Sequence, residues 1–387
     1  MGREKNVNYE ISILSVIGIS FVILGHLNFP ATDPGAPGTL YGWFPYYSFH
    51  LAIFMFISGY FYKDLPEKGY VKALGGFLLK KVKTLLIPYY IINGAFLLLG
   101  SVLLDHGFTF LTRFTFSRWL ISPWTSLYII TFSVPTWYLI ALFIAEIYFL
   151  VLRKIVKSLI KKDLLSEIIM LAVTLGLGIM AVTIARARGA SLTGLVYLRS
   201  AAMLFFIEFG LFYRKYLEKR DVLASLPYFL ILMGIQFAVI ILSGNAPLSP
   251  GLYALYGFGP LGYDYFLCGL TGLLFWLRIA RLLASVPARS RFIIFIGSNT
   301  KYIMSFHVFG FFLLNCLLNA IRSANPKSML VKDFSPQIFR SYLYYVCNSN
   351  WRMNLLYFAA GMGFSLIMAW IIRKISSAVP TRKRAAA

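Results

Sequence analysis

The stretch ISILSVIGISFVILGHLNFP (residues 11–30) decides the fold class of this chain. Its apolar run is nearly as long as the run of about 20 residues that an α-helix needs to cross a bilayer. The run is too long for the apolar part of a signal peptide, and it lacks a small-residue cleavage site. One histidine, His26, lies near its far end. Since ionisable side chains inside a membrane are costly, the stretch predicts a spanning helix whose imidazole has a function.

Similar apolar runs recur along the chain, which has 387 residues, 59% of them hydrophobic and only 13% charged. Soluble domains have about 25% charged residues, so the composition predicts a polytopic membrane protein. We expect an all-α fold of about ten transmembrane helices, forming a single membrane domain over residues 1–387. The predicted spans lie near residues 11–29, 45–63, 84–104, 136–153, 165–184, 199–214, 225–243, 263–281, 293–318 and 353–372.

Basic residues give the orientation. With the N-terminus inside, the cytoplasmic segments hold 26 Lys and Arg and the outer segments hold 10. The loops 30–44 and 244–262 have none. This is the positive-inside pattern, so both termini are predicted to be cytoplasmic, with a basic tail over residues 373–387. The same clustering explains the net charge of +23 without nucleic acid as a partner.

Three of the four histidines fall inside predicted spans. His26 lies about 9 Å outward from the centre of the first span. His50 lies on the outer side of the second, so antiparallel neighbours would place the two at similar depth. His307 falls near the middle of the ninth. Imidazole exchanges protons near neutral pH, which favours catalysis by His26 and His50, although a packed helix contact is the simpler explanation for any one histidine. His106 is predicted in a solvated loop.

Other polar residues are candidates for binding. Glu146 and Glu208 lie within predicted spans, where they would orient a histidine, pair with Lys301 or line a polar path. Lys83 begins the third span, where it would either grip phosphate groups or simply anchor the helix in the interface. The three cysteines are scattered and fit no metal site, and no carboxylate is paired in sequence with the histidines. We therefore expect no bound metal and no resident cofactor.

Several segments, in order, resemble acyltransferase family 3 across residues 10 to about 315. The segments are VIGISFVILGH, FHLAIFMFISGYFYK, KKVKTLLIPYY, TWYLIALF, FGLFYRKY and IGSNTKYIMSFH. This family of membrane proteins includes bacterial O-acetyltransferases of polysaccharides and the fucose O-acetylases of nodulation factors. The resemblance is to the fucose O-acetylase and polysaccharide O-acetyltransferase branch.

The resemblance implies transfer of an acyl group, often acetyl from acetyl-CoA, to a sugar hydroxyl of a surface glycan such as an exopolysaccharide, or of its lipid-linked precursor. It implies a multi-pass protein of the bacterial plasma membrane, and His26 as the catalytic base with His50 beside it. The remaining predicted site residues bind the acceptor or line the cavity, except Lys83, which would bind the donor; they are Ser58, Gly59, Tyr60, Trp137, Glu146, Asn299 and His307.

One position departs from the family pattern. The family usually has Arg or Lys eleven residues before the catalytic histidine, three helical turns away on the same face. Ser15 stands there in this chain. Either a lysine from another segment, such as Lys83, supplies the charge, or the donor is held differently, or activity is reduced.

Two other classes of function stay open at this stage. Histidines and acids within ten spans are also compatible with a transporter or exporter of a glycan or small solute, although neither inverted repeats nor matched broken helices are visible. A non-catalytic relative that binds glycan without modifying it would agree with Ser15. CoA turnover distinguishes the enzyme from both.

Overall fold

The structure is a computed structural model that describes residues 8–27, 46–125, 130–188, 194–242, 252, 263–286, 289–332, 334–340 and 351–378. All regular secondary structure within these residues is helical. The predicted outer loop 30–44, nearly all of the loop 244–262 and the predicted basic tail beyond residue 378 lie outside the described residues.

The helices agree with the predicted spans. Their bounds are α1 Tyr9–Gly25, α2 Tyr46–Tyr60, α3 Tyr70–Asp105, α4 Trp137–Leu159, α5 Asp163–Arg188, α6 Leu195–Arg220, α7 Ser225–Leu242, α8 Asp264–Ala284, α9 Arg291–Gly297, α10 Thr300–Ala324 and α11 Trp351–Ala378. Seven are long and apolar enough to cross a membrane, namely α3, α5, α6, α7, α8, α10 and α11. The helices α1 and α2 are apolar but shorter, and the 23-residue α4 carries several charged residues.

Three of the predicted spans differ most from the observed helices. The predicted span 293–318 is two helices, α9 and α10, because the chain turns at Ser298 and Asn299, where the Asn299 amide donates to the Phe295 carbonyl (2.6 Å). The span predicted at 84–104 starts earlier, at Tyr70, and contains a π-turn at Val82–Leu86. The span predicted at 199–214 extends over 26 residues.

The second helix lies at the centre of the bundle, packed against α1, α6 and α8. Its contact with α6 is close because glycines face each other there. A Cβ on Gly59 would lie 1.7 Å from the Ile207 carbonyl oxygen, and one on Gly210 would lie 2.0 Å from the Phe56 carbonyl oxygen. Only glycine permits backbones to approach this closely, so Gly59 is required by the packing of α2 on α6.

A cluster of charges joins the helix ends on one side of the bundle. The Arg153 guanidinium, 2% exposed, donates to the carboxylates of Asp64 (2.8 Å), Glu167 (2.7 Å) and Glu208 (3.0 Å). The last two carboxylates are fully buried. Lys215 adds a contact to Glu167 at 2.6 Å. We call this side the basic end, and we call the opposite side, where α1 ends at His26, the histidine end.

Candidate active site

A partly open cavity of about 220 Å³ lies inside the bundle, between α1, α2, α3, α4 and α10. We call it the central cavity. Most of its wall is apolar, with a few polar side chains among the apolar ones. Such a wall suits a mostly apolar ligand group whose position the few polar side chains fix. The lining residues are Ile19, Phe54, Ile57, Ser58, Leu85, Tyr138, Leu139, Leu142, Thr300, Lys301 and Met304.

Two histidines meet at the histidine end of the bundle, on helices that also border the central cavity. The His26 and His307 ring centroids are 5.2 Å apart, with the rings tilted by 45°. His307 is completely buried, whereas His26 is half-buried. Each lies on the side of its helix that faces the cavity, because His26 is seven residues after Ile19 and His307 is three residues after Met304. Both intervals bring side chains back to the same helix face.

The hydrogen bonds of His307 fix its tautomer. Its Nδ1 lies 2.9 Å from the Ile303 carbonyl oxygen. A carbonyl oxygen only accepts, so Nδ1 carries the proton and Nε2 has a free lone pair. Among the described residues Nε2 has no hydrogen-bond partner. The site therefore holds a buried imidazole nitrogen able to accept a proton or a hydrogen bond, close to the His26 ring.

The third histidine of the predicted site, His50, lies on the cavity-facing side of α2. It is 7% exposed. It comes four residues before Phe54 and seven before Ile57, both of which line the central cavity. His26, His50 and His307 thus belong to three helices that enclose one cavity. The His26 ring contacts the ring of His307, which the sequence predicts to bind substrate or line the cavity.

A polar cluster crosses the wall of the cavity towards the basic end. Ser58 Oγ donates to Glu146 Oε1 at 2.6 Å, and Lys81 Nζ donates to the same oxygen at 2.5 Å. Glu146 is 4% exposed, and its Oε2 has no hydrogen-bond partner among the described residues. Such an oxygen is a ready acceptor for a ligand N–H or O–H. The nearby Tyr138 hydroxyl is also buried without a described partner.

Two residues of the predicted glycine-containing motif in α2 serve the packing. Gly59 faces α6, as described above. The Tyr60 hydroxyl donates to Glu218 (2.6 Å) and accepts from the Asn8 amide (3.0 Å), which ties α1, α2 and α6 together at the basic end. A role of either residue in binding substrate stays a prediction.

Trp137 begins α4, beside the cavity-lining Tyr138. Its ring lies below the Arg199 guanidinium, 4.9 Å from centroid to Cζ. The residue that lines the central cavity is therefore Tyr138, the neighbour of the predicted site residue Trp137. A binding role of Trp137 stays a prediction.

Asn299 and Lys83 lie towards the basic end. Asn299 precedes α10, is completely buried, and its Oδ1 has no described partner. Lys83 is exposed within the π-turn of α3, whereas Lys81 reaches the buried Glu146. From the sequence, Lys83 alone is predicted to bind the donor, and this role stays a prediction.

Lys301 was noticed in the sequence but not placed in the site. It lies on the cavity wall, and among the described residues no carboxylate is within 4 Å of its ammonium group. Its Nζ lies 4.9 Å from the Tyr302 ring centroid. The described residues contain no cluster of three His, Cys, Asp or Glu side chains arranged to hold a metal ion. The arrangement thus holds a buried imidazole nitrogen without a described partner beside a second imidazole, and a cation on the wall of the central cavity.

Comparison with known proteins gives one finding. A family model described as an acyltransferase domain, that of acyltransferase family 3, matches residues 8–374. The match covers nearly the whole described fold and extends through α11, beyond the region in which the sequence showed resemblance. No curated protein and no solved structure gives a significant match.

Proposed function

The chain belongs to acyltransferase family 3, and from this premise we propose that it transfers an acyl group from acyl-CoA to a sugar hydroxyl of a cell-surface glycan or its lipid-linked precursor. The enzyme is a multi-pass membrane acyltransferase. The bacterial plasma membrane as its location, acetyl as the acyl group and the glycan as acceptor belong to the proposal. The buried contact between His26 and His307 is the observation that carries it.

The proposed reaction has His26 as general base. The acceptor hydroxyl loses its proton to His26 as its oxygen attacks the thioester carbonyl carbon. The C–S bond then breaks, the ester remains on the sugar, and the proton on His26 passes to the leaving thiolate to give CoA. His26 ends the reaction neutral, as it began, so no other reactant is needed.

His307 positions His26 in this proposal. An imidazole nitrogen stands about 1.2 Å from the ring centre, so two facing nitrogens at this centroid separation approach to about 3 Å, a hydrogen-bond distance. With Nδ1 held by the Ile303 carbonyl, His307 Nε2 accepts the N–H of His26 after a small ring rotation. This contact selects the His26 tautomer whose other nitrogen is unprotonated and faces the acceptor. A fixed second partner is how proteins orient a catalytic imidazole.

The donor is proposed to enter from the basic end. The predicted orientation makes this end cytoplasmic, where acyl-CoA is present, and the central cavity lies between this end and the histidines. Lys301 supplies the cation on the cavity wall that Ser15 lacks, and Lys83 contributes to the positive entrance. Ser58, Glu146 and Asn299 then lie along the arm of the donor.

His50 is proposed to stabilise the oxyanion that forms on the thioester carbonyl. It lies on α2, a third helix that borders the central cavity, towards the histidine end. Donors aimed at a developing oxyanion give large effects because the site is already organised around them. The acceptor glycan then approaches from the histidine end, which the charge pattern predicts to face outwards.

The test is acyl transfer with purified protein in nanodiscs. Radiolabelled acetyl-CoA is mixed with cell-envelope glycan extracts, and both CoA release and label on glycan are followed. We expect transfer by the wild type and none above background for His26→Ala.

A matched control is His106→Ala. His106 makes the same type of contact as His307, from Nδ1 to the Val102 carbonyl (2.8 Å), but it is exposed at the end of α3. It should retain full activity. Label transfer that persists in His26→Ala would refute the mechanism. Glycan binding without CoA release by the wild type would instead support a non-catalytic relative, and solute movement without CoA release would support a transporter.

A further inference from the structure

A second cavity lies at the basic end, below the end of α2, with a volume of about 150 Å³. We call it the basic pocket. Its lining residues are Tyr62, Asp64, Leu65, Glu67, Tyr70, Leu150, Arg153, Lys154, Lys157, Ser158 and Lys161. The wall therefore combines apolar and aromatic side chains with four cations and two carboxylates. No role has been assigned to it so far.

The charges of the basic pocket are of two kinds. Arg153 and Lys157 are held by carboxylates, since both contact Asp64, at 2.8 Å and 2.9 Å. Lys154 and Lys161 have no carboxylate within 4 Å among the described residues, and both are exposed on the rim. The Lys154 ammonium lies 4.3 Å from the Tyr70 ring centroid. The pocket thus keeps two cations for a ligand, and Glu67 is the exposed lining carboxylate that contacts neither Arg153 nor Lys157.

Asp64 neutralises part of the positive charge of Arg153 and Lys157. Burial raises the pKa of its carboxyl group, but Arg153 and Lys157 lower it by more, and the net pKa is below the ordinary value for aspartate. Asp64 therefore stays ionised and neutralises the buried guanidinium. The uncompensated positive charge remains with the rim lysines.

One face of α4 borders both the basic pocket and the central cavity. Leu139 and Leu142 line the central cavity, and Leu150 and Arg153 line the basic pocket. Glu146 lies between them on the same face, since these positions are spaced by three or four residues along the helix. Its Oε2 is the buried carboxylate oxygen without a described partner. A ligand that lies along α4 passes this oxygen on its way between the two cavities.

The separation of the two sites matches the donor of the proposed reaction. His50 and Tyr60 are ten residues apart on α2, which is about 15 Å along the helix, and the basic pocket begins at Tyr62. In acyl-CoA about thirteen bonds separate the thioester sulfur from the first phosphorus. An extended chain of this length spans about 15 Å, as judged from the reach of extended polypeptide.

We propose that the basic pocket binds the adenosine 3′,5′-bisphosphate end of acyl-CoA. The base packs on the tyrosine rings and the leucines, Lys154 and Lys161 contact the phosphates, and a pantetheine amide donates to Glu146 Oε2. The acyl group then reaches the histidines. An anionic lipid headgroup would also meet the rim lysines, but it has no arm to occupy the face of α4. This inference rests on the proposed function for the identity of the donor.

The test measures binding of CoA and of dephospho-CoA, which lacks the 3′-phosphate, to the full-length protein in nanodiscs of phosphatidylcholine. The doubly substituted variant Lys154→Gln/Lys161→Gln is compared with the wild type and with Lys374→Gln. Lys374 is a matched control because it is also exposed at the basic end and its ammonium lies over an aromatic ring, that of Trp370 (5.1 Å). Thermal unfolding of each variant verifies that it is folded.

We expect the wild type and Lys374→Gln to bind CoA more tightly than dephospho-CoA. In the double variant CoA binding should weaken by about tenfold, since two charge-assisted contacts are lost, and the preference for the 3′-phosphate should disappear. An unchanged preference in the double variant overturns the assignment of the pocket while leaving acyl-CoA as the donor. A preference abolished by adding phosphatidylglycerol to the nanodiscs overturns it in favour of a lipid site.

His26→Ala separates this inference from the proposed mechanism. It should bind CoA as the wild type does, because His26 is remote from the basic pocket, but it should transfer no acyl group. If the wild type binds no CoA at all, both the proposed donor and this pocket assignment are wrong. If His26→Ala binds CoA and still transfers acyl groups, only the mechanism is wrong.

Discussion

Replacing His307 by leucine tests whether it positions the catalytic imidazole. Leucine fills much of the same space but offers no acceptor to His26. In the proposed mechanism the His26 N–H is then left buried without a partner, which costs about 1–3 kcal/mol. This energy corresponds to a loss of about 5- to 150-fold in rate, since 1.4 kcal/mol is a factor of ten. The loss should appear in kcat rather than in KM for the donor.

The assay is initial-rate transfer of labelled acyl groups in nanodiscs, with kcat and KM determined separately. His307→Gln should recover most of the activity, because its side-chain oxygen reaches approximately where Nε2 lies and accepts the same hydrogen bond. His106→Leu, at the exposed histidine, should behave as wild type.

A double variant decides between positioning and independent catalysis. If His307 acts through His26, then His26→Gln/His307→Leu should be no slower than His26→Gln alone, since residues that act as a unit are not additive. Losses that multiply would refute the reasoning, and so would a His307→Leu enzyme with wild-type kcat.

Three further predictions concern the framework around the site, and each is checked by unfolding in detergent micelles. Lys81→Met should destabilise the protein by about 3 kcal/mol, because its buried carboxylate partner is left unpaired, whereas Lys83→Met should change stability by less than about 0.5 kcal/mol. Gly59→Ala should destabilise the protein by about 3 kcal/mol, because the new Cβ would clash with the Ile207 backbone carbonyl. Gly75→Ala should instead stabilise it by about 0.5–1 kcal/mol, because a Cβ at that position meets nothing within 4 Å. The wild type should be more stable than Asp64→Asn at neutral pH, and this advantage should shrink as the pH falls below about 4, since a carboxyl with a lowered pKa loses its contribution when it is protonated. Equal effects of the two lysine changes, a tolerated Gly59→Ala or a pH-independent Asp64→Asn would each contradict the corresponding contact.

The positions of the helices were predictable because the length of an apolar run is set by the thickness of the bilayer. The break at Ser298 and Asn299 was not predictable. The sequence on both sides of it is apolar, and either residue is tolerated within a membrane helix. The early start of α3 was missed for a related reason. Residues 70–81 are basic and only moderately apolar, so they continue the helix without resembling a span.

The sequence could not predict which side chains of different helices contact each other in the site. Sequence gives the depth of a side chain, and depth predicts that His26 and His50 lie at similar levels. The rotation of each helix and the choice of its neighbour arise from packing, and these brought His26 against His307. The same limit applies to the lysines of α3. Lys81 and Lys83 are two residues apart and therefore lie on nearly opposite faces of the helix, so that only one can reach Glu146.

The serine that departs from the family pattern is explained by what surrounds it. Ser15 is 6% exposed, and its hydroxyl donates to the Ile11 carbonyl of its own helix at 2.7 Å. The side chain is thus committed to α1 and offers no charge to the cavity. Lys301 projects onto the wall of that same cavity, opposite Ile19, which is one turn along α1 from Ser15. A cation six residues before His307 lies about 9 Å from it along α10. In the proposed reaction, the charge that the family usually places on the first helix would therefore come from Lys301 on α10.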